Sequence, residues 1–469
     1  MASTATRFYR TELIDDVWWL IDPEGAPFLS FGVNHVLWEG DRAPALGHAP
    51  YHRQVQAKYG SCQAWAGVAH DRLRAWGFNT IGAWSSPVFR DRGIAHSRIL
   101  NIGTAAGGRW REGIFPDVFS ERFDTATHAA AAEQCGSDCE DRHLLGYFTD
   151  NELRWGPDGR SSRSLLADYF ALAPDAPGKH ELVQLLRQRY GTIDAFNRLW
   201  QTSLADFDAL RRATDLDAIS EPFRAVGREA LMHTLAECCP PERVRAYLQA
   251  WHGDVETLNA HWRTRLPSLD AAVEPPAPSE HGRERLALES NFLRHVAEAY
   301  FSKSARAIRT HDPNHLILGC RFAGSAFAEV VQSMGRHTDV LSYNNYSFKT
   351  PVERLAQLHD WTGRPIMITE FSFKAMDSGL PNTHGAGVPV QSQQQRADLY
   401  EAYVTDLMKL PFAVGFHWFQ HSDQPAEGRF DGENSNYGLV TIDDEPWQTL
   451  TERTTRVNRG LYKLHAAAH

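Results

Sequence analysis

No stretch of this 469-residue chain approaches the roughly 18 consecutive apolar residues of a membrane-spanning helix, so no membrane partner is expected. Basic side chains are the minority. Against 58 acidic residues stand 48 Lys and Arg, giving a formal charge of −10, and no dense basic stripe offers itself to a phosphate backbone. Nucleic acid is therefore excluded as an expected partner, and a neutral ligand fits better. Cysteine is sparse: six residues, two of them adjacent at Cys238 and Cys239, make neither a disulfide framework nor a zinc motif. Reduced, mostly buried thiols are expected, with no metal. A glycine-rich phosphate turn is missing after the first strand-like stretch, which counts against an open nucleotide-binding sheet and leaves no cofactor to expect. The opening MASTATRFYRTELIDDVWWLIDPEG has no basic segment leading into an apolar run, so no secretory leader is visible and the chain as given is expected in the cytoplasm. Oligomeric state is not written in the sequence, and a homo-oligomer is compatible with it.

Aromatic residues are plentiful, at 11% with 14 Trp. Flat apolar faces both fill cores and stack on sugar rings, so position must decide between those uses.

Strand-like runs alternate with helical periodicity, the pattern of βα units. FLSFGVNH (28–35), FNTIGAWS (78–85), SRILNIG (97–103) and HLLGYFTDNEL (143–153) read as strands one to four. HLILGCRF (315–322), TDVLSYNNYS (338–347), PIMITEFSF (365–373) and FAVGFHWFQ (412–420) read as five to eight. Helical spacing lies between them, as in Phe292–Arg309, Val352–Trp361 and Gln391–Lys409. Eight units predict an α/β fold of the (β/α)8 barrel kind, with residues 1–469 forming one domain.

After strand four the rhythm breaks for a long helical insertion, 157–282. It contains a repeat: GTIDAFNRLWQTSLADFD (191–208) aligns with GDVETLNAHWRTRLPSLD (253–270), matching Gly191, Asn197, Trp200, Thr202, Leu204 and Asp208 to Gly253, Asn259, Trp262, Thr264, Leu266 and Asp270. Two copies are too few for a solenoid. Long loops after barrel strands emerge at the C-terminal mouth, so the insertion is expected to lie over it and narrow it, and AAVEPPAPSEHG (271–282) reads as its exit linker.

Polar groups at the C-terminal ends of barrel strands point into that mouth. Two strand ends carry a carboxylate after an apolar run: Glu152 in GYFTDNEL and Glu370 in PIMITEF. Such a pair suits an acetal, because one group protonates the leaving oxygen while the other attacks the anomeric carbon. Asn151 with Glu152 on strand four and Glu370 on strand seven resemble the clan A glycoside hydrolases. That resemblance implies Glu152 as acid/base, Glu370 as nucleophile, a retaining double displacement, and a contact from Asn151 to the sugar 2-hydroxyl. A closer similarity is to glycoside hydrolase family 50, the β-agarases, in GYFTDNELRW (146–155), PIMITEFSFKAMDSG (365–379) and HWFQHSDQPAEGRFDGENSNYGLV (417–440). The loop LPNTHGAGVPV (380–390) departs from that family, and no counterpart of its large N-terminal β-domain is seen.

The resemblance further implies that Trp418 stacks on the sugar, and that Tyr343 or Tyr346 donates to the nucleophile. Asn34, His35, Trp84 and Arg321 end strands and are candidate lining residues, and Gln420 and Asp423 lie in a polar run able to bind hydroxyls. Asp150 reads as structural, Glu433 as a loop or sugar contact, and His417 with His421 as no metal pair. The expected partner is a carbohydrate, and the expected reaction hydrolysis of β-linked, galactose-configured glycans. The alternatives are a β-galactosidase or β-glucosidase acting on short oligosaccharides, and an inactive carbohydrate-binding barrel. Division of labour between the carboxylates predicts a raised pKa at Glu152 and a lower one at Glu370.

Overall fold

The computed structural model describes residues 5–323 and 326–468. Eight short strands carry the fold: β1 (Ser30–Val33), β2 (Thr80–Ile81), β3 (Ala95–Ile99), β4 (Leu144–Phe148), β5 (Leu316–Ile317), β6 (Leu341–Asn344), β7 (Ile366–Phe371) and β8 (Ala413–Trp418). They form one curled parallel sheet in the order β5-β4-β3-β2-β1-β8-β7-β6, a TIM-barrel-like arrangement. The two ends of that order approach each other at a parallel bridge between Phe322 and Tyr343. There the Phe322 amide donates to Ser342 O (3.0 Å) and the Asn344 amide to Phe322 O (2.7 Å).

Strands buried on both faces need continuous apolar runs rather than alternation, and LLGYF and IMITEF are buried throughout. Ala95, Leu145, Phe148, Leu316, Leu318, Val340, Met367 and Val414 pack inside the curl, joined by Leu20 and Tyr9 from the N-terminal segment. That segment is a hairpin, Arg10–Ile14 with Val17–Ile21, and its Trp18 amide donates to Pro411 O just ahead of β8. It therefore meets the N-terminal end of the sheet, opposite the strand ends that carry the carboxylates. A larger cluster fills the layer between sheet and helices.

The third strand lies earlier than expected: it covers Ala95–Ile99, and the tail of SRILNIG enters the helix Ile102–Ala105. The helix before β5 is longer than its periodic core suggested, running Glu280–His311 from a Ser279 cap.

Between β4 and β5 a run of helices extends from Leu165–Phe170 to Asp270–Val273, ahead of the long helix that precedes β5. The repeat read from the sequence is a structural unit. In the first copy Pro177–Tyr190 turns at Gly191 into Ile193–Trp200; in the second Pro241–His252 turns at Gly253 into Val255–Trp262. Asn197 ties the end of its copy by donating to Leu204 O (2.8 Å) while accepting from the Leu204 amide (3.1 Å). Asn259 does the same with Leu266, at 2.9 and 2.8 Å. This explains why Asn, Thr and Leu recur: Thr202 and Thr264 complete the same knot by donating to the Asn oxygen.

Candidate active site

Five consecutive strands finish with the same device. His35, Trp84, Asn101, Glu152 and Arg321, following β1 to β5, all have positive φ, at 57°, 57°, 54°, 49° and 49°. A side chain in the left-handed region crowds its own carbonyl, so each of these turns is held by its surroundings. The ladder supplies part of that hold: the His35 amide donates to Ala83 O (3.0 Å), that of Glu152 to Arg321 O (3.1 Å), and that of Arg321 to Ser342 Oγ (2.8 Å). The chain thus turns sharply while still bonded to the neighbouring strand, and the side chains are carried to the mouth.

Glu370 ends β7 with both oxygens engaged. Oε1 lies 3.0 Å from Arg321 Nη2, and Oε2 accepts from the Tyr346 hydroxyl at 2.6 Å. Arg321 is fully buried, donates to Asn151 Oδ1 (3.1 Å) and Thr369 O (2.9 Å), and has its guanidinium 4.3 Å from the Trp84 ring centre. Asn344 bridges to the other carboxylate: its Nδ2 donates to Glu152 Oε1 (2.9 Å) and Asn151 Oδ1 (3.1 Å), and its oxygen accepts from Thr369 Oγ1 (2.7 Å). One polar network therefore connects the ends of β4, β5, β6 and β7. Buried polar groups are costly unless satisfied, and here most of them satisfy one another, the Arg321 Nε alone in this network being left without an acceptor.

Burial pushes Glu370 up to about 7, against the lowering by Arg321 and Tyr346 and with a further push from the charge of Glu152. A low pKa for Glu370 was expected, and this is the reverse. Desolvation outweighs one cation and one hydroxyl donor. Asp150 is also raised to about 7 by burial, and it accepts from the Gly103 amide (2.7 Å) and the Tyr300 hydroxyl. Those contacts tie it to the loop after β3 and to the helix before β5, and it also borders the cavity that holds the two glutamates.

Both carboxylates open on a cavity of about 490 Å3. Asn151, His35, Trp84 and Tyr346 line it with them. Of the two candidate tyrosines, it is Tyr346 that reaches Glu370. Tyr343 is buried in the layer outside the curl and is not part of the lining. Arg321 lies buried behind the lining.

Four further expectations are corrected. Trp418 is fully buried, donates to Tyr437 O (2.9 Å), and packs on Phe371 and Tyr400 in the helix-facing layer. The cause is a bulge: Ala413 pairs with Ile366 but Gly415 with Met367, so β8 spends an extra residue and its facing inverts. The aromatic brought to the cavity is the next one, Phe419. Asn34 is buried, donating to Thr369 O (2.8 Å) and accepting from the Ala83 amide (3.0 Å), so it ties β1, β2 and β7 together. Gln420 is turned to Asp41 (2.9 Å). Asp423 accepts from Asn436, the Gly438 amide and Trp447, and so organises the loop after β8.

Sequence reasoning missed Asn344, although it stands between the two candidate tyrosines that drew attention to that strand end. It also missed Asn101, Trp110, Arg429 and Phe430 in the cavity wall, and left Glu433 undecided. Trp110 and Phe430 stand on loops after β3 and β8 that meet where Arg111 donates to Phe430 O (3.0 Å). Glu433 lines the cavity and is held by Arg429 (2.8 Å) and Gln424 (2.7 Å). None of the lining residues comes from 157–282. From that segment Arg160 donates to the carbonyls of Glu152 (3.0 Å) and Trp110 (2.9 Å).

Among the described residues no group of three or more His, Cys, Asp and Glu is placed to hold a metal. His417 and His421 are fully buried, and burial pushes them down to about 3 and 4. All six cysteines are free. No helix among the described residues is long and apolar enough to cross a membrane.

No family model matches the chain. It is 26% identical to β-agarase B of Vibrio sp. (strain JT0107) over 98% of its own length and 49% of that protein's, and 27% identical to β-agarase A of the same strain over 98% and 46%. The chain thus spans about half the length of these relatives. Among solved structures, the crystal structure of an agarase matches with a TM-score of 0.75 at 26% identity, covering 99% of this chain and 66% of the other. The structure of an exo-β-agarase matches in fold, with a TM-score of 0.77 at 22% identity, over 99% of this chain and 66% of its own.

Proposed function

We propose that this chain, whose resemblance to the β-agarases of glycoside hydrolase family 50 runs along nearly its whole length, is a retaining β-glycosidase acting on neutral, galactose-configured glycans of the agarose type. One observation carries the reading. Glu152 and Glu370, from opposite parts of the curled sheet, face a single cavity whose walls carry Trp84, Trp110, Tyr346, Phe419 and Phe430. Flat rings bind the apolar faces of sugars, and a carboxyl pair serves the two faces of the anomeric centre.

In this reading Glu370 attacks the anomeric carbon, with Arg321 and Tyr346 holding its two oxygens so that a lone pair points at the sugar. Glu152 protonates the departing oxygen, then takes the proton from water in the second step. Asn151 contacts the sugar 2-hydroxyl, and Asn344 fixes Glu152 and Asn151 relative to each other. The closed (β/α)8 barrel and its helical insertion supply a rigid frame for this geometry.

The test is proton NMR of an early time course on agaro-oligosaccharides and an aryl β-galactoside. The β-anomer is expected first, with the α-anomer growing in by mutarotation. An initial α-anomer would show inversion and remove the double displacement. Failure to cleave any neutral β-galactan or aryl β-glycoside would leave a binding barrel instead.

The position of Glu370 has a pH consequence. A nucleophile must be ionised, and Glu370 is raised from 4.5 to about 7, so activity is lost as pH falls through that value. The acidic limb of kcat/KM, which reports the free enzyme, is therefore expected near 7. A limb near 4.5 would show that the free enzyme holds Glu370 ionised despite its burial.

A further inference from the structure

The two copies of the helical repeat have diverged in one respect that matters chemically. In the first, Trp200 is fully buried in the main core, its indole donating to the Tyr190 hydroxyl at 3.0 Å. In the second, a small core of its own forms around Leu235, Leu248 and Leu258, and Trp262 sits at its edge, only partly covered. There it lines a cavity of about 470 Å3 that shares no lining residue with the carboxylate site. That volume is within the range of small-ligand pockets, about 300–1,000 Å3.

The cavity is basic in an acidic chain. Arg285 is neutralised by Asp217 (2.7 Å) and Glu289 (3.0 Å), Arg224 by Glu221, and Arg163 by Asp168 (2.8 Å). Two lining arginines remain, Arg228 and Arg263, and among the described residues neither side chain has an ion-pair or hydrogen-bond partner. The Arg228 guanidinium rests 5.2 Å from the Trp262 ring centre, and its Nε is buried with no acceptor. Arg263 occupies the position of Gln201 in the first copy, with the same left-handed backbone (φ 53° against 50°). A flat ring beside two uncompensated cations matches a sugar ring bearing an anion.

We propose that this cavity is a second saccharide site, specific for a sugar residue carrying a sulfate ester or a carboxylate, with Trp262 against the ring and Arg228 and Arg263 on the anion. It gives the insertion a role apart from catalysis: holding a charged stretch of glycan while the barrel site works on neutral units.

The test is calorimetric titration of the full chain, carrying Glu370→Gln to prevent turnover, with a sulfated galactan tetrasaccharide, an oligogalacturonate tetrasaccharide, a neutral agarotetraose and inorganic sulfate. Either or both anionic tetrasaccharides are expected to bind, more weakly as salt is raised, and the stronger of the two identifies the anion. Arg263→Gln, which installs the first copy's residue on an exposed position, and Arg228→Gln are each expected to weaken that binding about tenfold. Neither should alter agarotetraose binding or, in the otherwise native chain, hydrolysis of neutral substrate. Binding of the anionic tetrasaccharides that survives both arginine substitutions, no binding of either, or inorganic sulfate binding as tightly as the sugars would overturn the assignment.

Discussion

Glu370→Ala is expected to lose several orders of magnitude in hydrolysis and, when azide is added, to produce the α-glycosyl azide from an activated β-glycoside. The substitution empties the space on the face of the sugar where the covalent bond would form, and a small anion can take that place with Glu152 still present as acid. Glu152→Ala should behave as the complement. The nucleophile survives, so a substrate with a good leaving group still reaches the glycosyl-enzyme, and azide then releases the β-glycosyl azide. The opposite anomers arise from the geometry alone, because each carboxylate serves one face of the ring. Finding the anomers exchanged would swap the two roles. Near-normal hydrolysis by either variant would remove that residue from the mechanism.

Arg321→Leu should be the most damaging change outside the carboxylate pair. It deletes the cation 3.0 Å from Glu370 and leaves the charge of Glu152 and the effect of burial opposed by Tyr346. Glu370 then rises above its present value of about 7, so at neutral pH the nucleophile is protonated. Activity at pH 7 should fall by about 10²–10³-fold, and the acidic limb should move to higher pH. Breaking one side of a buried pair also costs stability, of order 3–5 kcal/mol while the carboxylate stays charged. The sign of its pH dependence is set by linkage. A carboxyl group whose folded pKa lies above its unfolded value favours the fold below the unfolded pKa and loses that contribution as pH rises through the folded one. The variant should therefore be closest to the parent in acid and weakest in alkali. Arg321→Lys retains a charge, and should move the limb less. Denaturation midpoints measured beside kcat/KM across pH would separate the two effects: a limb that stays in place while stability falls would reduce Arg321 to a structural residue.

The carboxylates and the strand order were legible in the sequence because they depend on runs of apolar residues and on the polar residues that end those runs. IMITEF and LLGYFTDNE announce buried strands ending in charge, and eight such runs have few other ways to close. The repeat was legible for a similar reason, since an asparagine knot demands the same residues at the same offsets. Facing was not legible. One bulge beside Gly415 inverts β8, so a reading that places Trp418 in the pocket is off by one residue, and Phe419 takes its place. Asn34 looks like a binding group because it is polar at a strand end, and Asp423 because it follows one in a polar run, yet backbone amides and neighbouring segments claim their hydrogen bonds first. Protonation escaped as well: roles assigned by chemistry predict a low pKa at Glu370, whereas the depth at which the pocket holds it raises that value.

The left-handed turns after β1 to β5 carry an implication for how this protein can change. Each non-glycine residue there costs about 1 kcal/mol of backbone energy that a glycine would avoid. On backbone energy alone, a search for more thermostable variants would be drawn to His35, Asn101 and Glu152, where replacement by glycine relieves the main chain; at Arg321 and Trp84 the buried ion pair and the ring packed against it outweigh that relief. Those are also the positions whose side chains make or brace the mouth. Durability and reactivity compete residue by residue around that rim, and a lineage selected only to survive heat would be expected to lose its chemistry there first.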